Sequence, residues 1–492
     1  MVEKQVDRSN ALSFENYKKR LLDGCVDCKY PIDIEDEIIV FLTLNKDKNN
    51  NVLFQYACFI LDDKIKTNNN YKDAFDILYK LAINNNFNAQ CRLGSCYYNG
   101  QGTERDYIQA FNWYKKSAEQ GNANAQYNLG VCYYCGHGKR KDYTQALYWY
   151  KKSAEQGNAD AQFYLGGLYE NGRGVEKDYA KAFYWYKESA EQGNANAQFN
   201  LGCFYDSGYG VKQDYTQAVY WYKKAAEQGD ADAQCNLGVC YENGQGVKQD
   251  YVQAVDWYKK SAGQGYASAQ FNLGVCYENG RGVKQDYTEA IRWYKKSAEQ
   301  GDRDAQFNLA YCYDVGRGIN QDYAKALYWY KRSAEQGDRD AQNNLGYCYD
   351  VGQGVGQDYY QAAYWYKKAA EQNHVGAQCN LGYYYDVGLG IKQDYTQAVY
   401  WYIKAAEAGD IDAQNNLGIC YYYGKGIEKN YVKAVYWFKK AAEHGKASAQ
   451  FILGMCYRNG EGVEPDYSMA IYWLRKAADN GNEDARNALF YL

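Results

Sequence analysis

The stretch that decides the fold is Gly121–Gln156, which reads GNANAQYNLGVCYYCGHGKRKDYTQALYWYKKSAEQ. The same pattern returns every 36 residues, eleven times between residues 85 and 480, without an insertion or a deletion. Every tryptophan of the chain stands at position 29 of this repeat, from Trp113 to Trp473. A fixed period of this length is the signature of an array in which one small structural element stacks on the next.

Within one repeat the apolar residues follow the period of an α-helix. Positions 5, 9, 12, 13 and 16 fall within one half of a helical wheel, which predicts a buried stripe. Gly136 and Gly138 follow this segment, and a glycine just beyond a helix can end it in the left-handed conformation. Asp142 then precedes a second apolar segment, as is typical of a helix N-cap. The repeat is therefore predicted to be helix, turn, helix.

Two helices cannot bury this much apolar surface alone, so each repeat has to stack on its neighbours. The sequence predicts an all-α protein whose tryptophans, each burying roughly 200 Å², form a continuous aromatic spine. We expect four segments along the chain. They are an N-terminal helical cap over residues 1–48, a degenerate repeat over 49–84, eleven repeats over 85–480 and a C-terminal capping helix over 481–492.

The repeat resembles a known family through the pattern A-x-x-x-L-G-x-x-Y-x-x-G-x-G-V…D-Y-x-x-A…W-Y-x-K-A-A-E-x-G. The repeat that opens at Gly229 carries it in Leu237, Gly238, Tyr241, Gly244, Gly246, Val247, Asp250, Tyr251, Ala254, Trp257 and Tyr258. It is similar to the Sel-1-like repeat, a relative of the tetratricopeptide repeat, over about four fifths of the chain. This resemblance implies a right-handed superhelical α/α solenoid with a concave groove, used as an adaptor or scaffold.

Composition excludes several classes of partner and location. Lys and Arg number 56 and Asp and Glu number 60, so no basic stripe for nucleic acid is expected. The chain has no 18-residue apolar run that could insert into a membrane, and its charged first residues lack the apolar core of a signal peptide. We therefore expect a soluble cytoplasmic protein, in its own cell or in a host cell, with its 16 cysteines as thiols.

The sequence offers little catalytic or ligating chemistry. Eight cysteines stand at position 12, where Leu168, Phe204 and Tyr384 replace them elsewhere, so we expect small apolar side chains rather than ligands. Cys25 and Cys28 form a lone Cys-x-x-Cys, whereas a structural zinc site needs four ligands. The Gly-x-Gly pairs join helices and lack the strand of a dinucleotide site. We predict no cofactor, no metal and no enzymatic activity.

One face of the first helix, formed by positions 7, 8, 11, 14 and 15, lies away from the buried stripe. The family resemblance implies that this face lines the groove. Position 8 is asparagine in eight repeats, and position 14 is acidic in seven consecutive repeats. Amides could pair with a peptide backbone, and acids suit basic or polar partners. The alternative is that both rows persist from duplication or form a solvated face.

Three consecutive repeats differ from the others on this face. They carry tyrosine at position 11 and valine at position 15, a combination typical of interface anchors. The candidate partner-binding residues are Tyr311, Tyr347, Tyr383, Asp314, Asp350, Asp386, Asn308, Asn344 and Asn380.

These residues favour a non-catalytic protein–protein interaction scaffold that binds a partner segment near residues 300–390. The partner would be a protein or peptide of basic or polar character. Two alternatives stay open: a structural or self-associating solenoid without a specific ligand, and a microbial effector-type regulator of host proteins. An enzyme would need a distinctive polar cluster in one repeat, which the sequence does not show.

Overall fold

The computed structural model of the protein describes residue 19 and residues 35–47, 49–62 and 70–490. Across these ranges the regular secondary structure is α-helical, and no strand is present. The chain divides into two compact units, Met1–Gln249 and Asp250–Leu492. The predicted all-α solenoid of tandem helix pairs is confirmed.

Helices follow one another without interruption by other elements. The first unit holds α1 Glu35–Asn45, α2 Asn50–Leu61, α3 Asn70–Ile83, α4 Phe87–Asn99, α5 Tyr107–Glu119, α6 Ala123–Cys135, α7 Tyr143–Glu155, α8 Ala159–Asn171, α9 Tyr179–Glu191, α10 Ala195–Ser207, α11 Tyr215–Glu227 and α12 Ala231–Asn243. The second unit holds α13 Tyr251–Gly263, α14 Ala267–Asn279, α15 Tyr287–Glu299, α16 Arg303–Val315, α17 Tyr323–Glu335, α18 Arg339–Val351, α19 Tyr359–Glu371, α20 Val375–Val387, α21 Tyr395–Glu407, α22 Ile411–Tyr423, α23 Tyr431–Glu443, α24 Ala447–Asn459, α25 Tyr467–Asp479 and α26 Glu483–Phe490.

The helix ends lie where the capping residues predict them. Asp142 accepts hydrogen bonds from the backbone N–H groups of Thr144 and Gln145, both at 3.0 Å, and so caps α7. Gly136 has a φ of 84° and donates its N–H to the carbonyl of Cys132 at 2.8 Å, which ends α6. Because these contacts span only two to four residues, local sequence is enough to set the helix boundaries.

Two glycines of most repeats make room for a neighbouring element, although Ala310 replaces the first of them in one repeat. A Cβ at Gly130 would lie 2.5 Å from a ring carbon of Tyr150, so a larger residue there requires the ring to shift. A Cβ at Gly138 would lie 2.0 Å from the carbonyl oxygen of Tyr107, the first residue of the preceding second helix. The absence of a side chain at Gly138 therefore allows the turn of one repeat to pack closely against the second helix of the preceding repeat.

The aromatic residue at the centre of the repeats is at position 30, one residue beyond the tryptophan; only the last of the eleven repeats has leucine there, Leu474. Tyr150 has no exposed surface, and its aromatic equivalents are at most 3% exposed; they are Tyr114, Tyr186, Tyr222, Tyr258, Tyr294, Tyr330, Tyr366, Tyr402 and Phe438. Trp149 packs instead at the edge of the core of the preceding repeat, together with Phe111 and Tyr114.

The expected continuous spine of tryptophans is therefore wrong. In the part of the chain that the structure describes, the nearest ring contact of Trp149 is with Tyr148, edge to face at 4.9 Å, and other repeats show the same pair. Adjacent helical positions are rotated by about 100°, so only one of positions 29 and 30 can point into the repeat's centre. Tyrosine occupies that place, and its neighbour Trp149 joins two repeats.

The cysteines at position 12 are buried, as expected for small apolar side chains. Burial raises the pKa of the Cys132 and Cys348 thiols to about 12. Cys25 and Cys28 lie outside the described residues. The described side chains include no group of three or more His, Cys, Asp or Glu residues that could hold a metal ion. Within the described ranges, no helix has the length and apolar character needed to cross a membrane.

Candidate partner-binding surface on the first helices

The predicted tyrosine and valine side chains form an apolar surface in the second unit. Tyr347 is 51% exposed and Tyr383 is 49% exposed. Each lies four residues before an exposed valine on the same helix, and residues four apart share one helix face. We name as the Tyr–Val surface the residues Tyr311, Val315, Tyr347, Val351, Tyr383 and Val387 on α16, α18 and α20.

This surface extends one repeat further than the sequence predicted. Tyr423, at position 15 of α22, is 65% exposed, and Ile419 at position 11 is half-buried. The two residue types are exchanged relative to Tyr383 and Val387, so a search for tyrosine at position 11 did not find them. A comparison of the residues at positions 11 and 15 together, for any pair of apolar side chains, would have identified Ile419 and Tyr423.

Tyr311 is less accessible than the other two tyrosines. The guanidinium of Arg317 lies 5.2 Å from the centre of its ring, and Tyr311 is half-buried. Arg317 also forms an ion pair with Glu278 at 3.2 Å. Because this pair holds the arginine over the ring, Tyr347 and Tyr383 offer the more open contact area.

The acidic residues at position 14 accept hydrogen bonds inside the array. Asp314 accepts from the hydroxyl of Tyr330 at 3.2 Å and from the side-chain amide of Gln353 at 2.6 Å. Asp350 accepts from the hydroxyl of Tyr366 at 3.4 Å. The row therefore orients the buried tyrosine of its own repeat and reaches the following repeat. These partners are neutral side chains, and none of them is a countercharge to the two aspartates beside the Tyr–Val surface.

Asp386 differs from Asp314 and Asp350, because the buried hydroxyl of Tyr402 in its repeat has no hydrogen-bond partner among the described residues. Asp386 is half-buried, and its charge adds to burial in raising the pKa of Tyr402. Burial raises the pKa of Tyr294 and Tyr330, and the side chains of Asn308 and Asn344, respectively, lower it. Asn380 is half-buried.

The two polar rows thus have a structural use that spacing alone did not indicate. The buried hydroxyl of Tyr330 donates a hydrogen bond to Asp314 of its own repeat. A buried hydroxyl without a partner costs about 1–3 kcal/mol. The rows therefore help to stabilise the stack, and only their exposed portions are available to a ligand.

A second polar contact joins successive repeats, between position 14 of one and position 17 of the next. Its members are Tyr98–His137 at 2.9 Å, Tyr134–Arg173 at 2.6 Å, Glu278–Arg317 at 3.2 Å, Asp314–Gln353 at 2.6 Å and Tyr422–Glu461 at 2.7 Å. Donors and acceptors are matched in each pair, although the residue types vary. The residues at position 17 therefore tie the turn of one repeat to the first helix of the repeat before it.

Comparison with known proteins agrees with this architecture. The Sel1 repeat family matches the chain in eleven consecutive segments, which run from residues 88–122 to residues 447–482. A crystal structure of a protective antigen of uropathogenic Escherichia coli, with an SLR fold, is 41% identical, with a TM-score of 0.75, over 85% of this chain and 90% of that one. A Sel1 repeat protein from Oxalobacter formigenes is 34% identical, with a TM-score of 0.51, over 64% of this chain and 94% of its own.

No curated protein shows a significant match to the sequence. The family segments follow the 36-residue period and the helix pairs described above, and together they span residues 88–482. The chain is therefore a member of the Sel1 repeat family.

Proposed function

We propose that the chain is a protein-interaction scaffold whose Tyr–Val surface binds an extended segment of a partner protein. Sel1 repeat solenoids are in general protein-interaction scaffolds, which supports the first part of the proposal. The binding of a partner segment at the Tyr–Val surface is supported by one observation. Tyr347 and Tyr383 expose about half of their surface at equivalent places on successive first helices.

The spacing of these anchors favours an extended ligand. First helices of neighbouring repeats pack with their axes about 8–10 Å apart. An extended chain advances about 3.3 Å per residue, so one partner residue in three would meet each tyrosine. Burying an apolar side chain contributes about 1.5–3 kcal/mol. Two or three anchors contribute about 3–9 kcal/mol before the cost of ordering the segment, so hydrogen bonds to the partner have to add to them to reach micromolar affinity, about 8 kcal/mol.

The charge beside the surface favours a basic partner. Asp314, Asp350 and Asp386 follow the exposed tyrosines at position 14, and the described partners of Asp314 and Asp350 are neutral. A partner segment with apolar residues at every third place and Lys or Arg between them would complement both features.

The ends of the array support the proposed division of the chain. Ala485 of α26 is fully buried in one cluster with Leu474 of α25. The described part of residues 35–83 packs α2 and α3 against the first regular repeat, with Leu78 buried beside Leu93. We infer that both segments act as caps that shield the apolar ends of the stack. The buried free thiols fit a reducing compartment, as proposed for a cytoplasmic protein.

The proposal is tested by selecting peptides from a random display library on the immobilised full-length chain. We expect selected peptides with apolar residues at a spacing of three and basic residues between them. Their binding to a Tyr347→Ala, Tyr383→Ala double variant should weaken at least tenfold, because both anchors are lost.

A matched control removes two tyrosines that are equally exposed but stand on second helices, Tyr364→Ala and Tyr400→Ala. Equal binding to both double variants would contradict the proposed surface. If no peptide is selected, and the wild-type chain self-associates in light scattering while the Tyr347, Tyr383 variant does not, the surface instead joins copies of this chain.

A further inference from the structure

We propose a second binding site, in the first unit, that takes an extended and uncharged polar peptide segment. A cavity of about 430 Å³ opens along α2, α4, α6 and α8, the first helices of four successive repeats. That volume lies within the range of sites for small ligands and peptide segments, about 300–1,000 Å³. The inference does not rest on the Tyr–Val surface, because the two lie in different units and differ in polarity.

Side-chain amides dominate the lining of this cavity. It includes Gln55, Asn88, Asn122, Asn124, Asn128 and Asn158. Asn122 donates to Asn88 at 2.8 Å, and Asn158 donates to Asn124 at 3.1 Å. An amide has two N–H donors and two acceptor lone pairs, so each pair still offers both to a ligand. A peptide backbone needs alternating donors and acceptors of this kind.

Two of the three charged side chains at the cavity compensate each other. Arg92 stands where most repeats have asparagine, and it forms an ion pair with Asp62, the residue that follows α2. Asp160 accepts a hydrogen bond from Asn194 at 3.0 Å. A strongly anionic ligand would therefore meet a cation that is already paired, whereas the amide groups of the lining complement an uncharged polar segment.

The extent of the cavity favours a linear ligand. Four helices at about 8–10 Å spacing span about 25–30 Å, which corresponds to about eight residues of extended chain. The two aromatic side chains of the lining do not favour sugars. Phe54 is buried, and Tyr127 packs against the rings of Tyr150 and Tyr164, both at 5.9 Å. Neither offers the open ring face on which a sugar stacks.

The test uses a library of N-acetylated, C-amidated octapeptides composed of Asn, Gln, Ser, Thr and Gly, with binding to the full-length chain measured by calorimetry. We expect the best peptides to bind at least tenfold more weakly to an Asn124→Leu, Asn128→Leu double variant. Both changes are tolerable for folding, since Asn124 accepts one exposed hydrogen bond and Asn128 forms a long one to Cys91 at 3.9 Å. Thermal unfolding of the variant checks this.

Asn196→Leu is the matched control, because Asn196 has the same repeat position as Asn124, is exposed and lies outside the cavity. Unchanged binding to this control and to the Tyr347, Tyr383 variant supports a separate site. Equal binding to wild type and the cavity variant, or no peptide binding at all, would overturn the proposal. So would tighter binding of Lys- or Glu-substituted peptides, or variant-sensitive binding of N-acetylglucosamine oligomers instead of peptides.

Discussion

The hydroxyl of Tyr384 donates a 2.6 Å hydrogen bond to Asp350 of the preceding repeat. Tyr384 replaces the usual cysteine at position 12, and the same repeat carries Leu389 at position 17, where Arg317 and Gln353 elsewhere contact the preceding acid. The tyrosine therefore supplies, from a different position, the contact that leucine cannot make. Two departures from the repeat pattern are explained by one interaction.

Removing this hydroxyl should destabilise the second unit. We expect Tyr384→Phe to lower the free energy of unfolding by about 1–3 kcal/mol, because a hydrogen bond to a carboxylate is lost. Adding Leu389→Arg should recover part of that loss, since arginine at this position reaches the preceding acid in the Glu278–Arg317 pair. A double-mutant cycle by urea unfolding measures the coupling. Strictly additive effects would show that the two positions do not share Asp350.

Gly130 should not tolerate alanine, although alanine is the better helix former. A Cβ there would lie 2.5 Å from the ring of Tyr150, so we expect Gly130→Ala to cost about 1–3 kcal/mol through overpacking. Gly263 is the control, because it is also helical but has open space around its Cβ position. Gly263→Ala should be neutral or stabilise by up to about 1 kcal/mol. Thermal unfolding that ranks the variants in the opposite order would refute the packing argument.

His374 should make the stability of α20 depend on pH. Its Nδ1 accepts the N–H of Ala377 at 3.0 Å, and its Nε2 lies 3.3 Å from Asp340. Burial lowers the pKa of His374, against the opposing effect of Asp340; Arg339 and Asp338 also act on the ring. The unfolded chain then binds more protons than the folded one, so the contribution of this group is complete above pH of about 6.5 and decreases as pH falls through that value.

The variant that checks this prediction is His374→Asn, since Asn122 caps α6 from the same repeat position. We expect the loss of stability between about pH 7 and 5 to be smaller in the variant than in the wild type, because the asparagine cap does not titrate. Identical pH profiles, measured by urea unfolding, would exclude His374 as the source.

Thiol reactivity should separate two cysteines three residues apart on α6. Cys135 is exposed, whereas Cys132 is buried with a pKa raised by burial to about 12. The thiolate is the reactive form, so at pH 8 an alkylating reagent should modify Cys135 rapidly and Cys132 only after unfolding. Mass spectrometry of the digested protein measures the rate at which each of the two cysteines is alkylated. Comparable rates in the folded protein would mean that the core of this repeat opens readily.

Features that depend on contacts within a few residues could be predicted from the amino-acid sequence. The 36-residue period, the helix pair and the caps at Asp142 and Gly136 follow from local side-chain and backbone chemistry. The exposure of Tyr347 and Tyr383 was also predictable, because helical periodicity places position 11 away from the buried stripe.

Only the tertiary structure decided how the repeats use their polar and aromatic residues. It placed Tyr150 rather than Trp149 at the centre of a repeat, and it brought Arg92 to Asp62 beside the cavity of the first unit. It also brought the carboxylate of Asp350 within hydrogen-bond distance of the hydroxyls of Tyr366 and Tyr384, which lie 16 and 34 residues further along the chain. The physical reason is that helical periodicity gives the direction of a side chain from its own helix. What that side chain meets depends on the separation and rotation of the neighbouring helices, which are set by packing across the whole stack.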